Sequence, residues 1–400
     1  MSIASSKLPN SAIVERLLQI VLVFAMTLPM LILYATSTLG PLLSQDLHFE
    51  PELLGYLVMS SFGLAAVLSL CAGAIVDYIG SRSALLVLFY AIAAAFTLIA
   101  LAENFYGLVV AAAICGIAQA LANPVTNLLI AQQIPSEKKA RVVGLKQSGV
   151  QLAALFAGLV LPAIAFHYGW RTAFSIIVPV AVLFVITTLF IIPKQHTRAG
   201  NGLTFSAPTS LLLWLMGIQF CVGIALSAFV TFLPTFASQH GMPLFWADML
   251  IAVFGIMGMF SRIMLTPMGA KLKDESLLLF GLIAIAACAM AITMHTDPES
   301  HWRLWVGAVG VGLTAVGTNA IAMSMLIRDP AFGPVTTASS YVSFAFFSGF
   351  ALGPPLYAAL SGYSGNLLLS WGALISVLCA ACMMTVILAS VRRHKVQALT

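Results

Sequence analysis

The sequence contains few charged residues. Only 8% of its 400 residues are Asp, Glu, Lys or Arg, against about 25% in a typical soluble domain, and 61% are hydrophobic. A surface that faces water needs polar groups on every side, so a soluble protein of this size could not be covered by so few charges. A bilayer removes that requirement because lipid tails solvate apolar side chains. The composition therefore predicts an integral membrane protein, with no nucleic-acid partner.

The sequence also lacks the motifs of ATP-driven pumps and of several common enzyme classes. It contains no Walker A sequence, no G-x-S-x-G and no H-E-x-x-H. Its six cysteines lie almost entirely inside apolar runs, which favours small buried side chains over a disulfide framework or a metal site. We therefore expect no cofactor, no metal and no catalytic residue.

Twelve apolar runs are long enough to cross a membrane. Each has about 20 residues or more, the length that spans about 30 Å of hydrocarbon. A polar linker at 194–208 separates an N-terminal six-helix bundle, 1–193, from a C-terminal six-helix bundle, 209–400. The predicted fold is an all-α integral membrane protein with two pseudo-symmetric halves. The predicted spans are 17–39, 54–76, 84–102, 105–132, 142–166, 172–193, 209–237, 244–269, 276–295, 302–327, 335–361 and 366–391.

The basic residues orient these spans. Lys and Arg concentrate in loops that face the cytoplasm. One set of connections carries only Arg171 and Arg303, so the N and C termini are predicted to be cytoplasmic, with the chain in a bacterial inner (plasma) membrane. The termini and the other connections carry Lys7, Arg16, Arg82, Lys138, Lys139, Arg141, Lys194, Arg198, Lys271, Lys273, Arg328, Arg392, Arg393 and Lys395.

The connection between the second and third predicted spans carries a recognisable motif. It reads Gly73-Ala-Ile-Val-Asp77-Tyr-Ile-Gly80-Ser-Arg82. This stretch resembles the G-x-x-x-D-x-x-G-R signature of the major facilitator superfamily, with the arginine displaced by one residue. Twelve spans, a central linker and a basic fourth-to-fifth connection agree with that resemblance. The alternative is an ordinary short turn with a solvated aspartate.

The resemblance implies a gating role for this motif. In the family the cluster locks the outward-facing state, so Gly73, Asp77, Gly80 and Arg82 are the expected gating residues. Gly73 would permit close helix approach and Gly80 a tight turn. Asp77 could cap a helix or pair with a basic residue.

A weak internal repeat favours two related halves. The fifth predicted span contains Gly158-Leu-Val-Leu-Pro162, and the eleventh contains Gly349-Phe-Ala-Leu-Gly353-Pro354 at the equivalent place. The second half has no good copy of the motif between spans two and three.

Two basic residues lie deep inside predicted spans. Lys146 is in the fifth and Arg262 in the eighth, whereas Asp77 and Asp248 are near span ends. Ionisable groups inside a membrane are costly and commonly functional, and arginine offers a planar fork that matches a carboxylate. We therefore expect Lys146 and Arg262 to bind an anion. The alternatives are that Lys146 extends to the cytoplasmic surface and that Arg262 caps helix ends.

Two finer resemblances agree with an anionic substrate. Arg262, followed by Pro267 and Gly269, makes the eighth span similar to that of monocarboxylate and oxalate carriers, in which an arginine binds the carboxylate. The polar, proline-containing fourth and fifth spans resemble those of bacterial facilitators of the organic-anion and cyanate-porter type. The residues of that second resemblance are Gln119, Asn123, Pro124, Asn127, Lys146, Gln147, Ser148, Gly149 and Gln151.

Neutral polar residues would complete the site. Asn123 and Asn127 share one helix face, as do Gln147 and Gln151, because residues four apart are neighbours on a helix. Each of them could instead be a polar contact between helices. Phe344, Phe346 and Phe347 on the eleventh span could form the floor of the pocket. The candidate residues are Gln119, Asn123, Asn127, Gln147, Gln151, Gln219, Asn319 and Tyr341.

These features predict a monomeric secondary active transporter of a small organic anion. It would work by alternating access, coupled to protons, although no acid is placed in mid-membrane. The first alternative is a drug/proton antiporter that exports hydrophobic compounds. Its G-x(8)-G-x(3)-G-P pattern is only partly met by Gly149, Gly158 and Pro162. The second alternative, a receptor or structural protein, would leave the deep cations unexplained, and the short connections leave no room for a signalling domain.

Overall fold

The computed structural model describes residues 11–193, 207–265, 272, 274–333, 335–364 and 367–397. Nearly all of these residues are helical, and the only extended pairing among them is an isolated bridge between Asp297 and Ser300. Most of the predicted linker lies outside the described residues, as do Pro267 and Gly269. The all-α prediction is confirmed.

The predicted number of spans is also confirmed, because twelve helices within the described residues are long and apolar enough to cross a membrane. Span 6 consists of two helices that meet at Ile176, and a π-helical turn, Ser261–Leu265, ends span 8. Numbered in chain order, spans 1 to 12 are Ser11–Asp46, Leu54–Ile79, Ser81–Leu101, Phe105–Gln133, Ser136–Tyr168, Trp170–Ser175 with Ile177–Ile191, Ser210–Gln239, Leu244–Phe260 with Ser261–Leu265, Glu275–Met294, Trp302–Arg328, Val335–Ser364 and Leu367–Gln397.

Bonds between connections show which helix ends share a face. Near the end of span 12, Arg392 bonds Asp329 in the 10–11 connection, at 3.1 Å. At the opposite face, Arg171 at the start of span 6 bonds Asp46 at the end of span 1, at 2.7 Å. The spans therefore alternate in direction. We name the face with the start of span 1 and the end of span 12 the terminal face, and the opposite face the distal face.

The packing of the helices repeats with a shift of six spans. Span 1 packs on span 5 as span 7 packs on span 11, and span 2 packs on span 4 as span 8 packs on span 10. Contacts between the first and last six spans follow the same rule, because span 5 packs on span 8 and span 11 on span 2. We name these two contacts the 5–8 seam and the 2–11 seam. The division at the linker stays a prediction.

Glycine allows the seams to close tightly at the distal face. A methyl group at Gly158 would lie 2.8 Å from the backbone carbonyl oxygen of Asp248, and one at Gly55 would lie 2.9 Å from the backbone of Pro354. Between the seams, the Ser37 hydroxyl on span 1 donates a hydrogen bond to the Val230 carbonyl on span 7. The distal side of the molecule is therefore closed.

Two details differ from simple sequence expectations. A methyl group at Gly73 would meet no atom within 4 Å, so Gly73 does not mediate the expected close helix approach in this conformation. Cys379 and Cys382 have a C-x-x-C spacing, but they lie inside one membrane span and are free thiols. This spacing therefore does not mark a soluble redox or zinc motif.

We expect Arg392→Ala to destabilise the C-terminal half. Arg392 contacts Asp274, Glu275 and Asp329, and its side chain is only 15% exposed. Its loss would remove the largely buried cation that contacts all three acids, at a cost of about 3 kcal/mol. Thermal unfolding in detergent measures the change. The control is Arg393→Ala, whose side chain is 62% exposed and screened by solvent. Equal losses in the two variants would contradict the role of Arg392.

Candidate functional site

A cavity lies at the centre of the twelve spans, between the two seams. It has about 800 Å³ of empty space, a figure that includes its open mouth. Seven spans line it: 1, 4, 5, 7, 8, 10 and 11. Its polar lining residues are Tyr34, Gln119, Asn123, Gln147, Gln151, Arg262, Asn319 and Ser343.

Arg262, which the sequence predicts to bind an anion, lines this cavity. Its Nη1 donates to the backbone carbonyl oxygen of Gln147 at 2.7 Å and to the Gln147 side-chain oxygen at 3.0 Å. Its Nε is buried and has no hydrogen-bond partner among the described residues. Arg262 therefore connects span 8 to span 5 and still has an unused donor beside the cavity.

Lys146 neither extends to the surface nor lines the cavity. It is 1% exposed, and its Nζ donates to Asn127 Oδ1 at 2.6 Å and to Thr126 Oγ1 at 2.8 Å, with Asn123 Oδ1 at 3.5 Å. An ammonium group has three donors, and span 4 supplies three oxygens. No carboxylate among the described residues pairs with it. Lys146 is therefore a buried cation held by neutral groups.

A chain of hydrogen bonds connects the two cations. Gln147 donates from Nε2 to Asn123 Oδ1 at 3.3 Å, and Asn123 is also within reach of Lys146. The chain therefore runs from Arg262 through Gln147 and Asn123 to Lys146. The structure brings together the two cations and three of the predicted neutral residues, Asn123, Asn127 and Gln147. Asn123 separates Lys146 from the cavity.

The other predicted residues divide into cavity-lining and buried groups. Gln119 and Gln151 line the cavity; Gln119 Nε2 donates to the Pro29 carbonyl at 3.2 Å, and Gln151 Oε1 has no described partner. Gln219 is fully buried and accepts a bond from the cavity-lining Asn319 at 3.3 Å. Tyr341 is half-buried against the core and does not belong to the cavity lining.

Span 11 contributes an aromatic wall. Phe346 and Phe347 line the cavity, whereas Phe344 does not, and Phe350 is a further lining residue that sequence reasoning missed. The rings of Phe346 and Phe350 lie 4.6 Å apart. Tyr34 and the span 1 methionines also went unpredicted, because span 1 contains no charge that would mark its cavity face.

Asp248 is more deeply buried than its sequence position suggested. It lies in the second turn of span 8 but is 1% exposed, and its Oδ1 has no described partner. Gly158 of span 5 packs against its backbone, which places Asp248 at the distal part of the 5–8 seam. Asp248 therefore lies near a span end, as its sequence position indicated, but its side chain is buried in the seam.

A second cleft extends from the cavity toward the terminal face. It has about 1100 Å³ of empty space, and it shares Asn123, Ser343 and Phe347 with the cavity. Asn127, Gly73 and Asp77 line the cleft. The structure is thus closed at the distal face and has an opening between spans 2, 4 and 11 toward the terminal face.

The predicted gating residues lie beside that cleft. Asp77 is exposed and makes no hydrogen bond or ion pair with another described residue. Gly80 joins spans 2 and 3 with φ 82°, a conformation that favours glycine. Arg82 follows in the first turn of span 3 and is half-buried. Their gating role stays a prediction, and an unpaired Asp77 agrees with an unlocked terminal side.

Comparison with protein families assigns the class of this protein. Residues 22–354 match the family model described as Major Facilitator Superfamily. The chain belongs to the Major Facilitator Superfamily, since the match covers well over half of it. It is accordingly a multi-pass membrane protein and a secondary transporter of a small molecule.

We expect cysteine labelling to separate Lys146 from its neighbour Gln147. In a background without the native cysteines, a water-soluble thiol reagent should modify Gln147→Cys at least about ten-fold faster than Lys146→Cys, because reactivity follows access to the thiolate. Gln147 lines the cavity, whereas Lys146 is buried behind Asn123. Mass spectrometry gives the two rates. Equal rates would show that Lys146 faces the cavity.

Proposed function

We propose that this transporter carries a small organic anion, a carboxylate, by alternating access. Its location is the bacterial inner membrane, with the terminal face in the cytoplasm. The distal connections carry only Arg171 and Arg303, which supports that orientation. The transport unit is the monomer, because a single chain forms the whole cavity.

The observation that carries the proposal is the unused donor of Arg262. A buried polar atom without a partner is uncommon and marks a place where a ligand could bind. A guanidinium group binds a carboxylate through two parallel N–H···O bonds. No Asp or Glu is among the described residues that line the cavity. No carboxylate of this lining therefore competes with a bound anion for Arg262.

Lys146 contributes to anion binding without contacting the anion. Its charge is buried directly behind Asn123, where little water screens it. A cation so placed lowers the energy of an anion in the neighbouring cavity. A hydrophobic cation, as a multidrug exporter would carry, meets the opposite field, and this argues against the antiporter alternative.

The Arg262–Gln147 bonds connect substrate binding to the conformational change. They join span 8 to span 5 across the 5–8 seam, on the terminal side of the closely packed Gly158. An anion that takes over the donors of Arg262 would weaken that connection. The two halves could then move against each other around the bound substrate.

We expect Arg262→Gln to abolish saturable uptake of labelled carboxylates into proteoliposomes. Arg262→Lys should keep part of the activity and raise the KM about ten-fold, since it retains the charge but loses the planar fork. The control is Arg303→Gln at the distal face, where Arg303 pairs with Asp297. Normal carboxylate uptake by folded Arg262→Gln protein would contradict the proposal, as would a wild type that transports no anion.

The second part of the proposal concerns protons, and Asp248 is the group that supports it. A buried carboxyl without a partner is stable only in its neutral form. Separation of the 5–8 seam would hydrate the group and allow it to ionise, so proton binding from the distal side favours the closed seam. Spans 1, 5, 7 and 10 pack on span 8. The titratable or charged groups in the interior or at the distal ends of those spans are Tyr34, Asp46, Lys146, His167, Tyr168, Cys221, His240, His301 and Arg303. No hydrogen bond or ion pair between described residues joins any of them to Asp248.

We expect uptake to be faster when the distal side is mildly acidic, and Asp248→Asn to remove this dependence. Asparagine resembles the protonated acid, so the variant should transport at the faster rate at both mildly acidic and mildly alkaline pH. Initial rates in proteoliposomes of known orientation measure it. The matched control is Asp46→Asn, an exposed acid at the same face that pairs with Arg171 and should leave the dependence intact. An unchanged pH dependence in Asp248→Asn would exclude this residue.

A further inference from the structure

The aromatic wall belongs to the 2–11 seam. Phe62 of span 2 lies 6.0 Å from Phe347 and 4.8 Å from Phe350, measured between ring centres, and Phe346 completes the cluster. Three of these four rings, those of span 11, line the cavity. Span 11 can hold them there because Gly349 and Gly353 let it pack directly on the backbone of span 7.

The charged group of the cavity and two of its amide side chains belong to the opposite seam. Arg262, Gln147 and Gln151 all come from spans 5 and 8. Spans 5 and 8 do not pack on span 2 or span 11 in the described part of the chain. The cavity therefore lies between a polar wall with one cation and an aromatic wall on the other side.

The number of available charges limits the ligand further. Of the two deep cations, Arg262 has an unused donor, whereas Lys146 already has three oxygens around its ammonium group. A second carboxylate would have to lie against the aromatic wall. Burial of a charge against apolar rings without a partner is strongly unfavourable.

Resting on the proposed function, we propose that the substrate is a monocarboxylate with an aromatic or bulky apolar body. Its carboxylate binds Arg262 at the 5–8 seam. Its body packs on Phe346, Phe347 and Phe350, where an aromatic ring gains both burial and edge-to-face or stacked contacts. Short hydrophilic carboxylates have no apolar body to pack on these rings. A dicarboxylate would place its second charge against them.

Competition for uptake tests this inference. Uptake into proteoliposomes is measured for labelled phenylacetate, acetate and succinate in turn. Uptake of labelled phenylacetate is then measured in the presence of unlabelled phenylacetate, acetate or succinate. We expect phenylacetate to compete at a concentration about ten-fold or more below that of acetate, because burial of the ring favours it, and succinate to compete weakest. Phe346→Ala should reduce the preference for phenylacetate over acetate by at least about three-fold.

Phe344→Ala is the matched control, because Phe344 lies on the same span outside the cavity lining. It should keep the wild-type preference. Equal loss of preference in the two variants would overturn the role of the aromatic wall. Transport of acetate or succinate as readily as phenylacetate would overturn this inference and leave the anion carrier intact. Absence of uptake for all three carboxylates would overturn the proposed function itself.

Discussion

The cost of holding a charge away from water constrains every part of this structure. The ion pairs that the structure shows lie at the terminal or distal ends of the spans. Examples are Arg392 with Asp329 and Arg171 with Asp46. Inside the spans, Lys146 and Arg262 donate hydrogen bonds to amide and hydroxyl oxygens, and Asp248 is buried with no described partner for its Oδ1. Each interior charge is thus either hydrogen-bonded by neutral groups or favoured in its uncharged form.

The same constraint would allow the centre of the molecule to respond to an anion. Neutral oxygens satisfy the donors of a cation but leave its charge uncompensated, so the cavity keeps a net attraction for an anion. Gln147 accepts the hydrogen bonds of Arg262 Nη1, and these bonds cross the 5–8 seam. The group that an anion would displace is therefore the same group that holds the two halves together at this point. Binding and movement share one set of hydrogen bonds.

The sequence predicted the features that depend on a single helix. Span count and the depth of Arg262 follow from hydropathy and spacing along a chain whose helices have a fixed rise. Lys146, the phenylalanines of span 11 and Asp248 depend on how one helix is rotated against another. A lysine deep in a predicted span gives the same sequence pattern whether its side chain faces a cavity or three oxygens of span 4. Gly158 and Gly349 marked equivalent places in the two halves, but the helix that each packs against could not be inferred from one sequence.

The two cations consequently have different effects on a ligand. The field of Lys146 extends through Asn123 into the cavity and attracts negative charge, but it has no direction that could distinguish one anion from another. Arg262 adds direction, because its donors lie in one plane. Selection among anions must then come from what lies opposite Arg262, and there the 2–11 seam offers three aromatic rings and no charged group among the described lining residues. In the proposed anion carrier, two charges would set the attraction, whereas Arg262 and the aromatic wall would set the discrimination among anions.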